Sequence, residues 1–175
     1  MQRGISLQAL LQKIASLDAP ILQYRAKNIT TSQRIKDLKL IRTLYQGKLI
    51  INDDILAIEY ADGIHLGQED LAQYANDKEE AIKIIRSKIG SKRLGLSTHN
   101  KVEILEANAL GLDYIGLGAY RTTQTKKEAR VGEDLLEIAK HSTHKVALIG
   151  GVKMDDDFDA NIIAYKVVGS DLLNY

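Results

Sequence analysis

At 175 residues, with 24 Lys plus Arg against 23 Asp plus Glu, the chain is long enough for one domain (residues 1–175), and its net charge of +1 gives no reason to expect a nucleic-acid partner. The absence of cysteine excludes disulfides, thiolate nucleophiles and Cys-ligated zinc or iron–sulfur centres. No apolar run approaches the roughly 18 residues of a membrane span, and the opening stretch with Lys13 and Asp18 reads as a helix rather than a signal peptide, so no membrane partner and a cytoplasmic setting are expected.

Seven short apolar runs, rich in β-branched and aliphatic residues, predict strands at 20–24, 48–51, 63–66, 93–96, 114–117, 146–149 and 166–168. Several lack polar alternation, as strands buried on both faces of a parallel sheet do. Helical patterns fill the intervals. A first helix is predicted over 6–17. Ile35, Leu38, Ile41 and Leu44 recur after the Thr30, Thr31, Ser32 cluster, which can cap a helix. Asp77 caps a helix carrying Ile82, Ile85 and Ile89, with Gly90 as its stop. Asn100 stands three residues before Glu103 in a capping-box spacing, and Gly111 is expected to close that helix. A last helix is predicted over 133–141. Strands alternating with helices give an α/β fold with a parallel sheet, and polar motifs after each strand point to a TIM (β/α)8-type barrel. A closed barrel needs eight strands. The expectation is therefore a barrel lacking its first strand and its final helix, and the uncovered edge beside 20–24 makes a homo-oligomer one expected form of cover.

The motifs at the strand ends carry the chemistry. In QYRAK (residues 23–27), Gln23, Arg25 and Lys27 alternate, so their side chains are expected to point the same way and suit a diphosphate; a solvated strand end would look the same. INDD (51–54) places Asn52 and Asp53 at a strand end, with Asp54 as a cap for the next helix. HLGQED (65–70) adds Asp70, and Asp53 with Asp70 would hold one Mg²⁺. His65 is expected to pack in the core or touch a ligand edge. GLSTHN (95–100) presents Ser97, Thr98 and His99, with hydroxyls and amides that favour phosphate or simply cap; His99 is expected to lack a partner carboxylate. In 116–126, Gly116 and Gly118 permit close backbone approach, and Thr123, Thr125 and Lys126 suit an anion. Gly150, Gly151, Gly169 and Ser170 follow the last two strands, where barrels commonly bind phosphate. No nucleophile–base pair stands out, which fits a site that stabilises a leaving diphosphate.

Taken in order, Q-x-R-x-K, N-D, H-L-G-Q-E-D, G-x-S-x-H, a G-x-G loop ending in T-K, and I-G-G resemble the thiamine phosphate synthase family and its thiazole tautomerase branch over about 6–173. The resemblance implies a Mg²⁺-dependent transferase. It would join a hydroxymethylpyrimidine diphosphate to a thiazole phosphate and release pyrophosphate, its partners being these small molecules. Carried over, the stretch Gln23, Tyr24, Arg25, Ala26 and Lys27 would hold the pyrimidine diphosphate together with Asn52. Asp53 and Asp70 would take the metal. Ser97 would contact the pyrimidine, and Lys126 its diphosphate. Thr123, Gln124, Thr125, Gly151, Gly169 and Ser170 would cradle the thiazole phosphate, and Arg25, Lys27 and Lys126 would carry the catalytic charge. The family commonly has proline, an aromatic and proline where this chain has Ala119, Arg121 and Thr122, so a floppier loop with an extra charge near the site is expected. The alternatives are a thiazole tautomerase, disfavoured because Tyr120 stands where that branch carries a histidine, and a non-catalytic phosphate-binding paralogue.

Overall fold

The computed structural model describes residues 6–121 and 134–173. The strands are β1 (Ile21–Tyr24), β2 (Lys48–Asn52), β3 (Gly63–Leu66), β4 (Arg93–Thr98), β5 (Tyr114–Leu117), β6 (Lys145–Val152) and β7 (Tyr165–Val168). The helices are α1 (Leu7–Ala15), α2 (Thr31–Leu44), α3 (Gln68–Leu71), α4 (Lys78–Ile89), α5 (Lys101–Ala107) and α6 (Leu135–Ala139). Two short 3-10 helices cover Ile55–Tyr60 and Ser170–Leu173. Every predicted strand is present to within a few residues, and the fold is α/β with parallel pairing. The chain falls into two compact units. One holds the described residues up to 65 together with 89–93, and the other holds 66–88 and the residues from 94 onward.

In the first unit, β1 pairs in parallel with β2, and β2 with β3. Leu49, Ile50, Ile51 and Asn52 are all buried, so β2 has no solvent face. That explains why the run carries no polar alternation. The turn before β3 is locked by Asp62, which accepts the Leu49 amide at 2.8 Å and a guanidinium bond from Arg42. Burial opposes ionisation of this carboxyl, but those two donors outweigh it and hold its pKa below the usual value. Gly63 is required where it stands, because a Cβ there would sit 2.5 Å from the carbonyl oxygen of Arg93.

The helices of this unit depart from expectation in instructive ways. Ser6 caps α1 by accepting the Ala9 amide, but the helix stops at Ala15 rather than reaching 17. The Ser16 hydroxyl bonds back to the Lys13 carbonyl, and Asp18 adopts a φ of +47° that no helix continues through. Thr30 caps α2. Its buried stripe is Arg34, Leu38 and Ile41, spaced four and three, while Leu44 is exposed. A strict three-residue step drifts around a helix that has 3.6 residues per turn, so the stripe begins on a charged residue.

In the second unit β4, β5, β6 and β7 pair in parallel in that order, with a register shift between Ile149 and Val152. The core here includes Leu94, Leu96, Ile115, Leu117, Leu148 and the α4 face of Ile82 and Ile85. Asp77 accepts the Glu80 amide at 2.9 Å, and Gly90 has φ +61°, so α4 begins and ends as its sequence indicates. At α5, Asn100 accepts the Glu103 amide, but the Glu103 carboxylate returns to the amide of His99 rather than that of Asn100. Helix α5 ends at Ala107, with Asn108 as its C-cap, and not at Gly111, whose carbonyl instead takes the Arg86 side chain. Among the described residues, no helix is long and apolar enough to cross a membrane.

Candidate active site

In the first unit, β1 ends at Tyr24. Gln23 and Tyr24 are therefore the part of the QYRAK set in the strand, and the expected same-side alternation of Gln23, Arg25 and Lys27 does not extend to Arg25 and Lys27. They lie in the following loop, both exposed, and neither makes a hydrogen bond or ion pair among the described residues. Gln23 donates to the Asn52 side chain at 2.8 Å, so the first two predicted ligand groups meet directly. The Tyr24 ring is buried and its hydroxyl donates to Asp37; burial first, and that carboxylate second, push its pKa up. The Ala26 carbonyl is taken by the guanidinium of Arg34, both terminal nitrogens lying 3.3 Å from it.

Asp53 follows β2 with φ +68°, a conformation rare for a residue with a side chain. Its amide donates to the His65 carbonyl at 3.0 Å, and the Asp54 amide bonds two residues back to Asn52 at 2.9 Å. The Asp53 carboxylate is exposed and makes no hydrogen bond or ion pair among the described residues. Asp54 does cap the 3-10 helix, accepting the Leu56 amide at 3.1 Å, and also receives Arg34 and Thr31. His65 is 6% exposed in β3. Burial, and secondarily the nearby charge of Arg25, lower its pKa to about 4. It is thus a neutral ring at physiological pH, as a core position or a ligand edge requires. Its NMR titration is expected to show a neutral ring down to about pH 4. Because the unfolded-state pKa of ~6.5 is higher, the unfolded chain binds more protons between the two values. Stability should therefore fall as pH drops through that window, and His65→Asn should flatten the slope.

In the second unit, Asp70 lies within α3, where one carboxylate oxygen accepts the Gly67 amide at 2.7 Å. Ser97 is on β4, and its carbonyl accepts the Gln68 side chain at 2.7 Å; Gln68 is in turn held by Lys78 at 2.9 Å. His99 is not without a carboxylate: its ring stands 3.0 Å from Glu103, one helical turn on. The sequence reading missed this pair by treating Glu103 as a cap alone.

The β5 end is built by close backbone approach. A Cβ on Gly118 would lie 2.4 Å from the Ile149 carbonyl oxygen, which accepts the Tyr120 amide. Gly150 and Gly151 have φ of +88° and +73°, conformations that glycine adopts without strain. Arg121, expected as an extra charge near the site, is paired within the protein, while the expected floppiness of the loop from Thr122 on concerns residues outside those described. The Arg121 guanidinium meets Asp156 at 2.5 and 2.8 Å, donates to the Gly151 carbonyl at 2.9 Å and lies over the Tyr120 ring. Tyr120 rests edge-on against Phe158. The Arg121 hydrogen bond, together with the Lys153 amide, holds the Asp156 carboxyl down to about 2, so the pair stays ionised at any working pH. Gly169 and Ser170 are exposed after β7. Thr122, Thr123, Gln124, Thr125 and Lys126 lie outside the described residues.

The profile of thiamine monophosphate synthase matches residues 2–163. The chain belongs to this family. The thiamine-phosphate synthase family relatives include proteins of Dictyoglomus thermophilum (33% identical, 86% of this chain, 67% of the relative) and Persephonella marina (35%, 85% and 71%). Another, from Chloroflexus aurantiacus, is 34% identical over 91% of this chain and 73% of its own. Among solved structures, the family's thiamine phosphate pyrophosphorylase from Pyrococcus furiosus superposes with a TM-score of 0.70 at 26% identity, covering 87% of this chain and 72% of that one.

Arg34 is a buried charge beside the loops after β1 and β2 that the sequence reading overlooked. The signal was present: a lone guanidinium four positions before Leu38 on the apolar stripe of α2.

Proposed function

We propose that this protein is a thiamine phosphate synthase of thiamine biosynthesis, joining a hydroxymethylpyrimidine diphosphate to a thiazole phosphate. In that reaction the bond from the pyrimidine methylene carbon to the diphosphate oxygen breaks, the thiazole nitrogen bonds to that carbon, and pyrophosphate departs. The family membership supports this reading, and one structural observation carries it: among the described residues Arg25 and Lys27 are cations without partners, next to the joined Gln23 and Asn52. Exposed cations are ordinarily solvated, but two of them beside the joined Gln23 and Asn52 would give an incoming diphosphate charge-assisted hydrogen bonds.

The pyrimidine diphosphate would engage Gln23, Arg25, Lys27 and Asn52, with Ser97 on the pyrimidine and Lys126 on the diphosphate. The thiazole phosphate would engage Gly151, Gly169, Ser170 and the 123–125 stretch. Asp53 and Asp70 would hold Mg²⁺. Asp53 fits a hard, oxygen-seeking cation, because its carboxylate is exposed and has no donor among the described residues. Asp70 fits less fully, since its carboxylate already accepts the Gly67 amide. Magnesium, when bound, would neutralise charge on the diphosphate as it leaves. The family's barrel-type scaffold and a cytoplasmic setting belong to the same reading. The names of the relatives favour the synthase over the tautomerase and the non-catalytic paralogue.

The test is direct. Purified protein with both substrates and Mg²⁺ is expected to yield thiamine phosphate and pyrophosphate in equal amounts by chromatography. Chelation of the metal, or Asp53→Ala, should reduce the rate at least about 100-fold. A folded protein that makes no product under these conditions sinks the proposal.

A further inference from the structure

A buried charge on the apolar stripe of α2 has no place in the reaction just described. Arg34 is 8% exposed, where Leu38 and Ile41 continue the stripe. Its three guanidinium nitrogens reach two different loops. Nε donates to Asp54 Oδ2 at 2.9 Å, while Nη1 and Nη2 both reach the Ala26 carbonyl oxygen at 3.3 Å. That carbonyl belongs to the residue between Arg25 and Lys27. Asp54 is the residue after Asp53.

We propose that Arg34 is a positioning residue for the diphosphate site: it clamps the loop after β1 to the loop after β2 and so sets Arg25, Lys27 and Asp53 in binding geometry. The inference rests on the synthase reading and adds a role to it.

Three observations converge on this role. First, Asp54 is already committed to three protein donors of the about four that a carboxylate can take. It accepts Arg34 and the Thr31 hydroxyl on one oxygen, each at 2.9 Å, and the Leu56 amide on the other at 3.1 Å. Most of its accepting capacity thus goes to being held. Second, the residue it anchors is strained. Asp53 is the centre of a tight turn with φ +68°, closed by the Asp54 amide on the Asn52 carbonyl. Turns of this positive-φ kind are rare and persist only where the surroundings impose them. The restraints are the His65 carbonyl on one side, and Asp54 with Arg34 and Thr31 on the other. Third, burying an ion pair contributes little net stability compared with apolar residues of the same volume. Stability alone thus gives no reason for an arginine on this stripe, whereas holding two loops at once does. The guanidinium fork spans both acceptors; a lysine ammonium, as a point charge, cannot reproduce that span.

The experiment is a calorimetric titration of the full chain with inorganic pyrophosphate in Mg²⁺, with melting temperature and circular dichroism measured on every variant. Arg34→Lys is expected to weaken binding about tenfold or more while leaving the melting temperature within a few degrees of wild type. In an Asp53→Ala background the same substitution should cost at least threefold less, because one of the groups it positions is gone. Thr31→Val, a milder loosening of the same carboxylate at the helix start, should cost about threefold, and it keeps the test open if the arginine variants fold poorly. An Arg34→Lys protein that binds as tightly as wild type overturns the clamp, and so does an equal penalty with and without Asp53, or a Thr31→Val protein with no loss. Wild-type protein that binds no pyrophosphate overturns the synthase reading, and this inference with it.

Discussion

Arg25→Ala is expected to lower kcat/KM for the pyrimidine diphosphate by about 10²–10³-fold, and Lys27→Ala by a similar factor, with melting temperatures unchanged. The two halves of that expectation rest on the same fact. Neither side chain makes a hydrogen bond or ion pair among the described residues, and both are exposed, so their removal leaves no orphaned partner and no cavity. What their removal does take away is charge aimed at a leaving group that becomes more negative as its bond to carbon lengthens. Such groups act on the transition state more than on the ground state, so kcat should fall more than KM rises. Steady-state kinetics with saturating thiazole phosphate would measure the split. A variant at either position that retains full kcat would mean that its cation is merely solvated.

The second large effect concerns the scaffold. Leu49→Ala and Ile50→Ala are each expected to cost about 2–5 kcal/mol, which for a chain of this length is a drop on the order of 10 °C in melting temperature. Adjacent residues on a strand point to opposite faces, so a strand with one wet face would tolerate one of the two. Here both are essentially inaccessible, at 0% and 2%. Chemical denaturation of the pair would therefore read out directly whether β2 is covered on both sides. A near-neutral result for either one would contradict the burial seen here.

The strands were legible because burial on two faces writes itself as runs without exposed polar alternation, as LII in β2 shows, and β3 is buried throughout even with His65 in it. Caps were legible for a similar reason: Thr30, Asp77 and Asn100 act within four residues of themselves. What could not be read was anything decided by partners distant in sequence. Arg121 looked like a loose charge because nothing nearby announces Asp156, 35 residues away. Arg34 was passed over, and its acceptors, Ala26 and Asp54, lie in two separate loops. His99 is the opposite error, since its partner was only four residues off but had already been assigned to capping. The diphosphate residues themselves were found by type and order, not by geometry. The alternation invoked for Arg25 and Lys27 does not hold, since β1 has ended before either.

The bond between Arg121 and Asp156 also limits how this chain can be altered. A designer wishing to give it the proline-and-aromatic version of the loop seen in its kin would naturally replace Ala119, Arg121 and Thr122 alone. That graft would strip Asp156 of the guanidinium that neutralises it and leave its carboxylate, among the described residues, with the Lys153 amide alone, while freeing the Gly151 carbonyl. Positions 121 and 156 are thus one interchangeable module. They must be swapped together, and across natural variants the two columns should change in step.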